Sequence, residues 1–311
     1  LVQRVALLHQ ETVRARLVVD RQARRLANVA LVVGAVLEQL AVLVALDAAK
    51  GFRLDAVKVE IDGEIKSVDR SSHVSQTIKN LGIDALIVVG GDGTMLNAAR
   101  SLAEAGVAVL GINLGRLGFL ADVSPADMHE RLDDILAGHY REEYRSLLHA
   151  SVCRHGNTVS ESDALNDVVI HKWDIARMIE LDTTIDGRFL NSLRADGLII
   201  STPTGSTAYA LSGGGPIIDP ALEALVLVPI CPHTLSNRPI VVSDQVSIEV
   251  LVHGEDHSQA QITCDGQINF ALLAGDVVRI RRKEHTLRLI HPRQHDHFEI
   301  MRKKLRWAEQ P

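Results

Sequence analysis

The clearest chemical signal in the sequence is the glycine-rich segment Gly90-Gly91-Asp92-Gly93-Thr94. It lies between an apolar run typical of a buried parallel strand (84–90, DALIVVG) and a run with helical spacing (94–105). Glycines at such a junction let the backbone approach a ligand, and N–H groups at a helix N-terminus bind phosphate oxygens. Asp92 would accept a proton from an attacking hydroxyl or hold a metal ion that carries the phosphates. A simple helix cap is the alternative, and the absence of a following Gly-Lys-Ser/Thr excludes a Walker loop.

Two further segments carry groups that suit sugar and phosphate recognition. Residues 196–209 (DGLIISTPTGSTAY) run from a strand into a loop rich in hydroxyls, and three glycines follow at 213–215. Such a loop offers many donors without a full charge, although an ordinary polar loop would look similar. Asn166-Asp167 precedes a short apolar strand, and its amide and carboxylate could bind a sugar diol. A turn or a strand entry is the simpler interpretation of that pair.

The elements that must position these groups change in type along the chain. Residues 84–112 predict a strand–helix–strand unit, and 126–137 predict one more helix. The following part is typical of an all-β domain, with hairpin turns at Asp186-Gly187 and Asp265-Gly266. Its predicted strands are 167–171, 178–185, 198–202, 245–252, 259–263, 277–281 and 286–290. The tail, 298–307, predicts a short basic helix.

Length and composition limit the function classes. The 311 residues favour two domains, and a net charge of −6 argues against a non-specific nucleic-acid binder. Three scattered cysteines favour reduced thiols in a cytoplasmic chain. The apolar stretch 29–46 approaches the length of a membrane span, but Glu38 near its centre favours a buried helix, or a strand and a helix. The first residues also lack the pattern of a signal peptide.

In their order along the chain, these motifs resemble the NAD kinase family, which phosphorylates NAD to NADP with ATP. The resemblance covers about residues 80–310. The segments that carry it are VVGGDGTMLNAAR, GINLGRLGFLADV, ALNDVVIHK, RADGLIISTPTGSTAYALSGGGPI, CPHTLSNRPIV, LIHP and KLRW. The first 80 residues depart from the family, since no glycine precedes Gly34 where a glycine-containing phosphate loop is usual.

The resemblance implies a fold of α/β plus all-β class. A Rossmann-like α/β domain (1–122, completed by about 292–311) would precede a β-sandwich NAD-binding domain (123–291), with the tail returning to the first domain. Asp92 would be the catalytic acceptor of the proton from the adenosine 2′-hydroxyl. The implied ligand-binding residues are Gly93, Asn166, Asp167, Arg177, Arg194, Asp196, Thr207, Ala208, Tyr209, Ala210, Leu211, Ser212 and Gln267.

The resemblance also implies the partners. ATP and NAD would be the substrates, a divalent cation (Mg²⁺ is expected) would accompany ATP, and a homodimer or homotetramer would act in the cytoplasm. We expect no nucleic-acid or membrane partner and no metal held by protein ligands. His291, His295 and His297 could suggest a metal site, but a polar loop is the favoured interpretation.

Two alternatives stay open from the sequence. A lipid kinase of the diacylglycerol type shares the GGDGT segment and a β-rich second domain, although Asn166-Asp167 and the hydroxyl-rich loop argue against it. A non-catalytic NAD(P)-binding regulator would bind the dinucleotide without turnover, and the presence of Asp92 argues against that role.

Overall fold

The computed structural model describes residues 28–34, 41–47, 85–113, 118–124, 126–173, 177–254 and 260–307, with the backbone alone described for the first two ranges. The chain forms two compact units. The first unit contains Leu1–Glu143 together with Leu287–Pro311, and the second contains Tyr144–Thr286. Within the described residues, no helix is both long and apolar enough to span a membrane.

The first unit is built on a six-stranded sheet. Its strands are β1 (Asn28–Gly34), β2 (Ala41–Asp47), β3 (Ala85–Val89), β4 (Ala108–Ile112), β5 (Tyr140–Arg145) and β18 (Leu287–Pro292). They lie in the order β2-β1-β3-β4-β18-β5. β1, β3, β4 and β18 pair in parallel, and β2 pairs antiparallel with β1. The described parts of the stretch 29–46 therefore lie in strands, β1 and β2, and the expectation of a helix is wrong for these two ranges.

The described part of this unit contains three helices: α1 (Asp92–Leu102), α2 (Met128–Leu136) and α4 (His297–Leu305). α1 buries Met95, Leu96, Ala99 and Leu102, which lie on one face at helical spacing. The side chain of Asp296 caps α4 by accepting the N–H of Phe298, and basic residues fill its last turn. α4 and β18 thus confirm that the tail returns to the first domain.

The second unit is a sandwich of two six-stranded antiparallel sheets, as the predicted fold class requires. The first sheet contains β6 (Leu148–Arg154), β7 (Asn157–Ala164), β9 (Ile179–Ile185), β10 (Arg188–Ala195), β14 (Ile248–His253) and β17 (Val277–Arg282). The second contains β8 (Asp167–Lys172), β11 (Gly197–Ser201), β12 (Ala224–Ile230), β13 (Ile240–Ser243), β15 (Ala260–Cys264) and β16 (Ile268–Leu272). Apolar side chains from both sheets share one core.

The predicted strands omit β6, β7, β10, β12, β13 and β16 of the second unit, and β12 (ALVLVPI) among them is apolar and largely buried. β7 (NTVSESDA) lies at a sheet edge, so it needs no alternation of apolar residues to be stable as a strand. The predicted turns are present: Asp186, Gly187, Asp265 and Gly266 all have positive φ, between 49° and 73°.

The first unit extends further along the chain than the expected boundary at Asp122. Ile135 and Leu136 of α2 pack into the core beneath β3 and β4. β5 then pairs beside β18 in the same sheet, so the division falls after Glu143.

Candidate functional site

Asp92 lies at the carboxyl ends of two parallel strands of the first unit, the edge at which open α/β sheets bind ligands. Gly90 follows β3 and donates its N–H to the carbonyl of Ile112, at the end of β4. A Cβ at Gly90 would lie 2.4 Å from Oγ1 of Thr94, so only glycine fits where the chain turns into α1. Gly91 is the N-cap of that helix, and Gly93 is exposed beside Asp92.

The Asp92 carboxylate does not cap its own helix. Instead it accepts backbone N–H bonds from Phe119 (2.9 Å), Leu120 (3.1 Å) and Ala121 (3.4 Å), which we call the N–H cradle. Gly118 precedes this cradle, and a Cβ there would lie 2.1 Å from Oδ1 of Asp92. The cap interpretation of Asp92 is therefore wrong, because its carboxylate is held by a loop 27–29 residues further along the chain.

A pocket of about 340 Å³ opens in the second unit at Asn166 and Asp167. Its walls come from β8, β15, the turn after β15 and the start of α3 (Tyr209–Ser212). The lining residues are Asn166, Asp167, Val169, His171, Ala208, Tyr209, Thr263, Asp265 and Gly266. The structure therefore brings Asn166, Asp167, Ala208 and Tyr209 together, as the binding-site prediction needs.

Asp265 holds the backbone that presents Asn166 and Asp167. Its carboxylate accepts N–H bonds from Leu165 (3.1 Å), Asn166 (2.7 Å) and Asp167 (3.3 Å), while its own N–H donates to the carbonyl of Asp167. Burial of the Asp167 carboxyl, together with the nearby negative charge of Asp265, raises the pKa of Asp167 to about 7. Asp167 therefore changes its charge near neutral pH.

The hydroxyls of the loop after β11 are used inside the protein. Ser201, Thr202 and Ser206 are fully buried. Thr202 donates to the carbonyl of Leu165, and Ser206 bonds to the backbone of Pro203 and Ile218. Our expectation that these hydroxyls serve as ligand donors is wrong for these three, because Ser201 and Thr202 bond to the backbone of residues 165–166 and Ser206 bonds to the backbone of Pro203 and Ile218.

The predicted binding segment 207–212 is divided between the pocket and the core. Ala208 and the half-exposed Tyr209 line the pocket. Ala210 is fully buried and packs against Ile199 in the core of the second unit, so its side chain is not offered to a ligand. Thr207, Leu211 and Ser212 do not line this pocket.

The remaining predicted binding residues lie in the second unit but do not line the pocket. Arg177 is exposed, and Arg194 lies 3.7 Å from the carboxylate of Glu180. Asp196, the residue between β10 and β11, forms an ion pair with Lys172 at 2.7 Å. Gln267 is exposed in the turn after Gly266, and its N–H donates to the carbonyl of Cys264.

The predicted site residues omit five residues that line the pocket: Val169, His171, Thr263, Asp265 and Gly266. In the sequence, Asp265 indicates only a turn. The cross-strand register of β8 with β15 brings Gln261 opposite His171 and Thr263 opposite Val169. The side chains of Gln261 and His171 lie 3.0 Å apart, so pairing of the two strands was the signal that could have located them.

The tail histidines do not form the polar loop that we expected. His291 lies in β18 and is buried, and His297 begins α4. His291 and His295 both contact the Asp122 carboxylate in the first unit. Although burial opposes ionisation of Asp122, hydrogen bonds and positive charge from the two histidines lower its pKa well below the usual range.

Comparisons with known proteins agree with this architecture. The family model for the ATP-NAD kinase N-terminal domain matches residues 6–140, and the one for the ATP-NAD kinase C-terminal domain matches residues 165–292. The first match includes the residues before 80, where the sequence departs from the usual family pattern.

Two curated relatives and two solved structures illustrate the similarity. An NAD kinase of Nitrosococcus oceani is 50% identical over 80% of this chain and 86% of its own length. One of Chromohalobacter salexigens is 55% identical over 72% and 77%. Yeast NADH kinase complexed with NADH superimposes with a TM-score of 0.67 at 25% identity, covering 74% of this chain and 68% of that one. An NAD kinase from Archaeoglobus fulgidus in complex with ATP superimposes with a TM-score of 0.61 at 27% identity, covering 78% and 96%.

Proposed function

Because this chain belongs to the ATP-NAD kinase family, we propose that its two units divide one phosphoryl transfer: the first activates the attacking hydroxyl, and the second holds the dinucleotide. The chain is a kinase that phosphorylates NAD with ATP. The relatives and structures named above are NAD or NADH kinases, and nothing in them favours a lipid kinase or a non-catalytic regulator.

We propose that Asp92 is the catalytic base, and the observation that carries this role is its N–H cradle. A carboxylate has about four acceptor positions, and the three N–H bonds use three of them. The remaining position would accept the hydrogen of the adenosine 2′-hydroxyl. That proton would move to Asp92 as the hydroxyl oxygen bonds to the γ-phosphorus of ATP and ADP leaves.

Phosphate binding would fall to the backbone of the glycine segment. Gly91 and Gly93 are exposed at the N-terminus of α1, whose N–H groups and dipole favour anions. This local positive potential offsets a net charge of −6 on the whole chain.

We propose that a divalent cation, expected to be Mg²⁺, accompanies ATP. The three N–H bonds and the substrate hydroxyl would use the acceptor positions of Asp92, so phosphate oxygens and water would supply the ligands of the cation. This arrangement fits a cation carried by the nucleotide. Bound there, the cation would neutralise charge on the transferred phosphate.

The dinucleotide would use the pocket at Asn166 and Asp167. Its volume of about 340 Å³ lies near the lower end for small-molecule sites, so it would hold one nucleoside part of NAD. The Asp167 carboxylate and the Asn166 amide would bind the ribose diol, and Tyr209 would cover it. Gly93, Arg177, Arg194, Asp196, Thr207, Leu211, Ser212 and Gln267 stay proposed contacts with the remainder of the substrates.

We propose that the protein works as a cytoplasmic homodimer or homotetramer without nucleic-acid or membrane partners. The net charge of −6 supports the exclusion of nucleic acid. Family resemblance supports the oligomer, in which a neighbouring subunit would complete the NAD site.

The test of this proposal is the Asp92→Asn variant in an assay that couples NADP formation from NAD, ATP and Mg²⁺ to a dehydrogenase. The amide cannot take the proton, so we expect kcat to fall about 10²–10⁴-fold. The Kd for NAD, measured by calorimetry, should stay within about twofold of wild type. Near-normal turnover by the folded variant would remove Asp92 from the mechanism, and diacylglycerol offered in place of NAD tests the lipid-kinase alternative.

A further inference from the structure

A buried cluster in the first unit joins Asp122 to two histidines of the tail. Asp122 directly follows the N–H cradle of Asp92, His291 lies in β18, and His295 lies in the turn before α4. Oδ2 of Asp122 lies 3.2 Å from Nδ1 of His291 and 2.5 Å from Nδ1 of His295. The two imidazole rings are stacked, with centroids 3.9 Å apart. Three polar side chains from two distant parts of the sequence thus converge on one point.

The cluster is poorly satisfied as a set of hydrogen bonds. The three side chains are at most 9% exposed. Within the described residues, Oδ1 of Asp122 and Nε2 of both His291 and His295 have no hydrogen-bond partner. Because a buried polar atom without a partner costs about 1–3 kcal/mol, the geometry calls for a ligand with more than one polar contact.

Glu143 shows what kind of ligand fits. Its carboxylate lies 3.2 Å from Nε2 of His291, which is an ion-pair distance, although the two atoms are not aligned for a hydrogen bond. When the neutral ring carries its hydrogen on Nε2, the side next to Glu143, the lone pair of Nδ1 faces the Asp122 oxygen, and two electron-rich atoms oppose each other unless a cation lies between them. A carboxylate that accepts from the outer nitrogen of a histidine is the usual arrangement behind a metal-bound imidazole.

We propose that Asp122, His291 and His295 bind one divalent transition-metal ion of the Zn²⁺ type, with Glu143 orienting His291. One carboxylate oxygen and two imidazole nitrogens, all within 4.8 Å of one another, form a ligand set that zinc accepts. Water would complete the coordination. This site has no part in carrying the phosphates of ATP.

The ion would tie the tail to the segment that holds Asp92. Asp122 is covalently next to Ala121 of the N–H cradle, and Lys304 of α4 lies over the ring of Phe119 in the same cradle. Metal binding would therefore stabilise the first unit where the catalytic carboxylate is positioned.

The test is metal binding by the full-length protein after chelator treatment and dialysis. Zn²⁺ is titrated against a chromophoric chelator, and thermal unfolding is followed with and without Zn²⁺. We expect one ion per chain and a higher Tm with the metal. His295→Tyr should weaken binding more than about 10-fold and abolish the Tm increase, whereas Glu143→Gln should weaken binding about 10–100-fold with all three ligands kept. His129→Tyr, an exposed histidine of α2 in the same unit, is the matched control and should bind like wild type.

Three results would overturn the proposal: no stoichiometric binding by the wild type, wild-type affinity in both His295→Tyr and Glu143→Gln, or equal weakening by His129→Tyr. The first result would mean that protons alone supply the positive charge in the cluster. Should His295→Tyr fail to fold, Glu143→Gln decides, because it leaves every ligand in place.

Discussion

Gly118 offers a direct test of whether the N–H cradle positions Asp92 for catalysis. In Gly118→Ala the added Cβ would lie 2.1 Å from Oδ1 of Asp92, whereas ordinary contact begins near 3.4 Å. Either the carboxylate or the 118–121 loop must therefore move by about 1 Å, a displacement that can cost about 10²-fold in rate. We expect kcat to fall by about that factor, with the KM for NAD changed by less than about twofold.

The same substitution should cost stability, since overpacking a fitted contact typically costs about 1–3 kcal/mol. Gly106→Ala is the matched control in the same unit. Its Cβ would meet open space, but its φ of 67° disfavours a side chain, so it should cost about 1–2 kcal/mol in stability without touching Asp92. Both variants should lower the Tm, and only Gly118→Ala should lower kcat.

The assay is steady-state NADP formation with ATP and Mg²⁺ in excess, alongside thermal unfolding of each variant. A folded Gly118→Ala protein with kcat within about threefold of wild type would refute the role of the cradle, because that change is less than about 1 kcal/mol in the barrier. An equal loss of kcat in Gly106→Ala would attribute the effect to general destabilisation instead.

Two other predictions concern the second unit. The pKa of Asp167 lies at about 7, and an ionised carboxylate offers more acceptor positions to a diol than a protonated one, so the KM for NAD should fall as pH rises through 7. Asp167→Asn should remove the pH dependence of KM. Asp265→Asn should move the midpoint of that dependence to lower pH, because it removes a negative charge near Asp167. A wild-type KM that does not change with pH would contradict both expectations. Ser206→Ala should lower stability by about 1–3 kcal/mol, because the N–H of Ile218 loses its acceptor, and leave the KM for NAD unchanged. A raised KM with unchanged unfolding would show instead that this hydroxyl serves the ligand.

The local elements of the site were predictable because each depends on neighbouring residues. The apolar run before Gly90 specifies β3, the glycines specify the turn, and the following spacing specifies α1. The hairpin turns at Asp186 and Asp265 follow from residue types that tolerate positive φ. The exposed strand β7 had no such signal, since its pairing with β6 and not its own pattern makes it a strand.

The pairing of distant groups was decided only by the tertiary structure. The sequence left Asp92 as either a base or a helix cap. In the structure its carboxylate accepts backbone N–H bonds from the loop at 118–121. Asp265 indicated a turn, yet its carboxylate holds the Asn166 backbone across 99 residues of sequence. The tail histidines suggested a polar loop, but β18 carries His291 into the sheet beside Asp122.

The physical reason is the range over which each preference acts. Backbone propensity and hydrophobic spacing act within a turn or two of the chain, so the sequence by itself determined the strand–glycine–helix motif and the β-rich second part. Hydrogen-bond partners of buried carboxylates depend on which loops meet after the sheets form, and a buried group must find a partner wherever one is brought to it. Folding therefore decided what the carboxylates of Asp92, Asp122 and Asp265 contact, and with it the proposed roles of this protein's sites.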